Sequence, residues 1–306
     1  MLVFAASDKG GTGRSVTSCN VAYRLALRGE AVAYLDFDFG SPTAGAVLDI
    51  PKAERGVDGS GLHSYFTRHT DAVELDAALH SDSDALRDLG RYPSHGRLTL
   101  LPGDRDGGEF PISADMPARC AQLFLKLDRE FDVCVVDLSA GRSYATDLVL
   151  ETTARPELAN ASWRWLVFHR WSAQHIVAAH GLVFGDKGLL ATGLRRGHDR
   201  TRLDAAMRFV RTAVVDLGVD RGAVERAPQA AWLRSYDQRL RESADRLRMG
   251  RSRLAGVIPY DPILQWSERV IDDADVSRLK IANQATVQAF EDLATRLSDQ
   301  RFWEGL

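Results

Sequence analysis

The stretch Ser7-Asp8-Lys9-Gly10-Gly11-Thr12-Gly13-Arg14-Ser15 carries the residue types needed to hold an anion. Small residues let consecutive backbone N–H groups converge, a cation stands on either side of the glycines, and a hydroxyl follows. Such a cradle works where a strand hands over to a helix, because the helix dipole adds to the N–H groups. The flanks meet that requirement: Leu2-Val3-Phe4-Ala5-Ala6 is a short apolar strand, and residues 16–27 are amphipathic at helical spacing. The spacing is that of a P-loop, with Gly13, Arg14 and Ser15 supplying the glycine, the phosphate-facing cation and a hydroxyl for Mg²⁺. Two positions depart from the usual pattern, Asp8 at the first glycine and Arg14 at the lysine.

Two acidic segments belong with this loop. Asp36 and Asp38 end the apolar run Ala31-Val32-Ala33-Tyr34-Leu35. Aspartates two apart on a strand point the same way, toward the C-terminal edge where doubly wound sheets bind ligands. Phe131-Asp132-Val133-Cys134-Val135-Val136-Asp137 is a second buried strand closed by an acid, and Leu138-Ser139-Ala140-Gly141 follows it. An acid closing an apolar strand beside a P-loop holds Mg²⁺ through its water shell. Ser15, Asp36, Asp38 and Asp137 are therefore expected to converge on Mg²⁺.

Lys9, standing before the glycine pair, narrows the reading. Lys9-Gly10-Gly11-Thr12-Gly13-Arg14-Ser15 resembles the deviant Walker A loop of the MinD/ParA group of P-loop ATPases. Asn20 is similar to a position in the first helix of ParA proteins, Asp36-x-Asp38 to switch I, and Asp137 to Gly141 to switch II, with Ser139 where Pro is common. Thr43 stands where MinD-type chains carry Asn. Gly256-Val257-Ile258-Pro259-Tyr260-Asp261 resembles the segment whose loop lies against the adenine, and Asp216 follows the preceding strand where Asn or Arg is usual.

The resemblance implies ATP and Mg²⁺ as cofactors and an ATP-state homodimer whose slow hydrolysis controls an unidentified regulatory or cargo protein. It implies that Lys9 reaches the partner's nucleotide, that Arg14 is the loop cation and that Asp38 acts on the attacking water. Gly10, Gly11, Thr12, Gly13, Val16, Gly141, Asp216, Pro259, Tyr260 and Asp261 would surround the nucleotide. It favours ATP, although Asp216 could accept from a guanine edge. Arg14 motivates an alternative, a nucleotide-binding scaffold without turnover, because a planar guanidinium does not substitute conservatively for a compact ammonium.

The elements that must position these residues alternate strand and helix without repeats or a long linker. One α/β domain over residues 1–306 is expected, a doubly wound and mainly parallel sheet of seven or eight strands with helices on both faces. Further strands are expected at 97–103, 165–169, 209–216 and 254–261. Helices are expected at 71–89, 116–129, 173–183 and 276–297, and residues 51–115 form the least regular part. The arginine-rich segment 234–253 is balanced by Asp237, Glu242 and Asp245 and reads as a solvated helix face.

A composition of 45% hydrophobic and 26% charged residues can bury a sizeable core, and a net charge of −3 gives no general basic surface for nucleic acid. There is no run of eighteen apolar residues, no charged-then-apolar leader and no basic face on the C-terminal helix, so a cytoplasmic location without membrane binding is expected. Cys19, Cys120 and Cys134 lack short ligand spacings and read as packed thiols. His175 and His180 are five apart, which suits packing better than zinc.

Overall fold

The apolar runs form strands buried on both faces, as a doubly wound sheet requires. In the computed structural model, which describes residues 1–105, 107–215 and 227–304, eight strands make one sheet. They are β1 (Leu2–Ala6), β2 (Ala31–Phe37), β3 (Leu75–Asp76), β4 (Arg97–Leu101), β5 (Val133–Leu138), β6 (Trp163–Arg170), β7 (Met207–Val214) and β8 (Leu254–Pro259). The order is β3-β4-β2-β5-β1-β6-β7-β8, and every pairing is parallel except that of the two-residue edge strand β3 with β4.

Alternation along each strand divides the core. Leu2, Phe4 and Ala6 face one cluster, where Phe124, Leu148 and Ile176 come from helices α2 (Met116–Glu130), α3 (Tyr144–Thr153) and α4 (Ala173–Phe184). Val3 and Ala5 face the other, with Val21 and Leu25 from α1 (Arg14–Leu27) and Phe290 and Leu293 from α6 (Gln284–Ser298). Helix α5 (Ala227–Arg246) buries Leu240 and Ala244 and leaves Arg234, Arg239, Arg241 and Arg246 exposed.

Two expected helices are broken. Residues 71–89 contain β3 and two short helices, Ala77–His80 and Asp84–Arg87, because the Asp76 carboxylate caps Ala78 and the Ser81 hydroxyl donates to the Leu48 carbonyl. At the C-terminal end, a short helix at Asp273–Ser277 opens on a reciprocal Asp272/Asp275 capping box and stops at its C-cap Arg278, and α6 begins only at Gln284. No described helix is long and apolar enough to cross a membrane. Cys19, Cys120 and Cys134 are free and buried.

Candidate nucleotide-binding site

The loop lies where β1 hands over to α1. Gly13 is the N-cap of α1 at φ 72°, a left-handed conformation that favours glycine, and its carbonyl accepts from Thr17. Neighbouring strands brace the loop. The Thr212 hydroxyl at the end of β7 donates to the Thr12 carbonyl at 2.6 Å, and the Gly141 N–H beyond β5 donates to the Ser7 carbonyl at 2.7 Å. Arg142 joins Asp8 to the carbonyls of Gly181 and Lys187.

Two adjoining cavities share Gly11, Thr12, Gly13, Val16 and Glu268. One, of about 170 Å³, is walled by Gly10, Arg14, Ser15, Asp38 and Thr43 and suits phosphates. The other, of about 220 Å³, lies against Arg170, Ala213, Pro259 and Asp261 and suits a nucleoside. A larger cavity of about 620 Å³ at the β8 edge contains no loop residue; its size does not make it the site, because it lacks the phosphate cradle.

Arg14 lines the phosphate-sized cavity and is also tied to the acidic strands. Its guanidinium is buried between the acidic strands. Nε donates to Asp137 Oδ1, Nη2 to Asp38 Oδ2 at 2.8 Å, and Nη1 to Ser7 Oγ at 3.2 Å, while Ser15 Oγ lies 3.5 Å from Nη2. Burial opposes its charge, but Asp137 and Asp38 outweigh that effect and hold the arginine above its ordinary pKa range. Asp137 has its second oxygen occupied by the Tyr34 hydroxyl at 3.0 Å, and Tyr34 in turn meets Ser18 at 2.7 Å.

Asp36 sits in register with Asp137 on the adjoining strand. Its oxygens accept from the N–H groups of Ala44 and Asp38. Burial first, then the Asp137 charge, pushes Asp36 up to about 8.

The Mg²⁺ site expected of Ser15, Asp36, Asp38 and Asp137 is not the arrangement these side chains form. A hydroxyl and carboxylates are donors suited to a hard cation, yet the guanidinium binds Asp137 and Asp38, Tyr34 binds the remaining Asp137 oxygen, and backbone donors occupy Asp36. As they stand, these residues do not fit the metal.

Lys9 is exposed and lies outside both cavity walls. Pro259 lines the nucleoside cavity, while Tyr260 does not. Asp261 lines it too, but its carboxylate is engaged by Ile263, Asn283 and Thr286, so it fixes the start of α6. Asp216 lies outside the described residues. Sequence reasoning missed Ser7, Tyr34, Arg142, Thr212 and Glu268; only Ser7 lay inside a recognised motif. Among the described residues no group of His, Cys, Asp or Glu is arranged as a metal cluster.

The family described as "CobQ/CobB/MinD/ParA nucleotide binding domain" matches residues 3–297. The chain belongs to this family. Its members include the MinD/ParA-type P-loop ATPases, and the eight-stranded, mainly parallel fold agrees with theirs. A similar curated protein is the septum site-determining protein MinD of Synechocystis sp., 26% identical over 140 residues, or 46% of this chain and 45% of that protein. The match thus spans about half the length of that relative. Among solved structures, the MinD cell division protein of Aquifex aeolicus aligns over 97% of this chain and 95% of its own, with a TM-score of 0.58 and 16% identity. The MinD of Pyrococcus horikoshii, solved with Mg-ADP, aligns over 97% and 96% with a TM-score of 0.55 and 14% identity. At those identities the structural likeness establishes the fold alone.

Proposed function

We propose that this chain is a nucleotide-controlled dimerising switch of the MinD/ParA type, binding ATP in the loop and turning it over slowly. The observation that carries the reading is the direct linkage of the phosphate cradle to both switch segments. Asp38 reaches the loop through Arg14, and Gly141 reaches it through Ser7. A phosphate entering the cradle alters those contacts, and the segments beyond them can carry the change to a partner surface. Lys9, exposed beside the cradle, is the group that would cross a two-fold interface to the partner's phosphates. The output would be the binding of a regulatory or cargo protein in one nucleotide state.

Slow turnover follows from the position of Asp38. Its ion pair with Arg14 competes with orienting a water, so hydrolysis should fall below the ~1 s⁻¹ lower end of ordinary turnover. A scaffold without turnover is the second reading, favoured by that same pair. Calorimetric titration with ATP and GTP, followed by phosphate release from wild type and Asp38→Ala, tests both readings. The expected result is preference for ATP, with Asp38→Ala retaining binding and losing any release. Absence of nucleotide binding in wild type contradicts the proposal, and binding without measurable release in wild type selects the scaffold.

A further inference from the structure

We propose that the Arg14 guanidinium takes the place of the divalent cation in this site, so that the chain binds nucleotide without metal. The inference rests on the reading of the loop as a nucleotide site. Three of the groups expected to hold a cation are the loop hydroxyl Ser15, the strand-end carboxylate Asp137 and the switch carboxylate Asp38. The guanidinium meets all three, with two ion pairs and an approach of 3.5 Å to Ser15 Oγ.

The surroundings favour this arrangement. The Arg14 side chain is 6% exposed and Asp137 is fully buried, so an entering cation would have to expel a guanidinium and leave it without its partners. Tyr34 holds the second oxygen of Asp137, and the Ala44 and Asp38 N–H groups hold both oxygens of Asp36. The charge remains useful to the ligand because Arg14 also lines the phosphate-sized cavity. Its planar fork serves carboxylates on one side and phosphate oxygens on the other.

The substitution has a chemical consequence. A monovalent guanidinium neutralises phosphate charge, but it has no octahedral shell in which to order water and bridging oxygens. The site is thereby biased toward holding nucleotide rather than splitting it.

The experiment is calorimetric titration of the full chain with ATP in Mg²⁺ and in EDTA, repeated with Arg14→Lys. Wild type should give dissociation constants that agree within about threefold, whereas Arg14→Lys, with its shorter point charge, should bind at least about tenfold more tightly in Mg²⁺. A wild-type requirement for Mg²⁺ of tenfold or more, on the order of 1.4 kcal/mol, overturns the inference and leaves the nucleotide reading standing. No binding under either condition overturns both. Metal-insensitive binding by Arg14→Lys also counts against the stand-in. Should that variant fold poorly, Mn²⁺ titrated into the wild-type ATP complex and followed by electron paramagnetic resonance gives a second readout. Mn²⁺ held no more tightly than by free ATP supports the inference, and a tighter protein-ordered signal overturns it.

Discussion

Replacing Arg14 with Met keeps an unbranched stem and removes the guanidinium, and with it the charge and its hydrogen bonds. It leaves Asp137 at 0% exposure with only the Tyr34 hydroxyl, and Asp38 at 19% exposure with some access to water. Removing one partner from a buried pair costs roughly 3–5 kcal/mol, and the exposure of Asp38 places this site near the lower end, at about 3 kcal/mol. Asp137→Asn in the same background removes the stranded charge and retains an acceptor for Tyr34. The double variant should recover about half the loss, and comparison with Asp137→Asn alone turns that recovery into a coupling energy clearly different from zero. Urea denaturation followed by circular dichroism measures both through the midpoint at constant slope. A single-variant change within ~0.5 kcal/mol of wild type, or coupling near zero, would refute the view that this ion pair organises the site.

Tyr34→Phe removes the hydroxyl between Asp137 and Ser18 and should cost about 1–3 kcal/mol in the same assay, whereas a neutral change would show that Asp137 does not depend on it. Thr212→Val deletes the bond that braces the Thr12 carbonyl and should weaken ATP binding several-fold, by roughly 1 kcal/mol; unaltered affinity argues against bracing from β7. Phe124→Ala should cost about 3–5 kcal/mol, because the ring packs 5.9 Å from Phe4 and 6.0 Å from Phe37 in the core beneath α2; a loss below about 1 kcal/mol would show that the core there collapses freely. Burial pushes the His169 imidazole down to about 4, so the unfolded chain takes up that proton more readily. Stability from this group is intact above pH ~6.5 and declines as pH falls from there toward 4, by about 3 kcal/mol across the window. Denaturation midpoints of wild type and His169→Phe at stepped pH test this, and equal slopes would contradict it.

Much of the architecture was legible because fully buried parallel strands read as continuous apolar runs, as at Leu2–Ala6 and Val133–Leu138. The clustering of Asp36, Asp38 and Asp137 near the loop followed from their places at strand ends. The direction of Arg14 did not. Local spacing aims it at phosphates, whereas its guanidinium is held by Asp137, 123 residues away, whose other oxygen is held by Tyr34, which reads simply as a core aromatic. Asp261 shows the same limit: beside a base-binding motif it suggests contact with the ligand, yet long-range donors at Asn283 and Thr286 consume its carboxylate. Those bonds also set where α6 begins, which periodicity placed eight residues too early, at 276 rather than 284. The expected helix at 71–89 failed for a related reason, since the Ser81 hydroxyl bonds to Leu48 in a distant turn.

Nucleotide in this loop is proposed to control association of the chain with itself. Light scattering of the full chain with a non-hydrolysable ATP analogue, with ADP and without nucleotide measures it directly, with Lys9→Ala as the companion variant. A dimer is expected with the analogue, a monomer with ADP or no nucleotide, and loss of the dimer in Lys9→Ala despite retained nucleotide binding. A mass that is the same in all three conditions, or a dimer unaffected by Lys9→Ala, would contradict it.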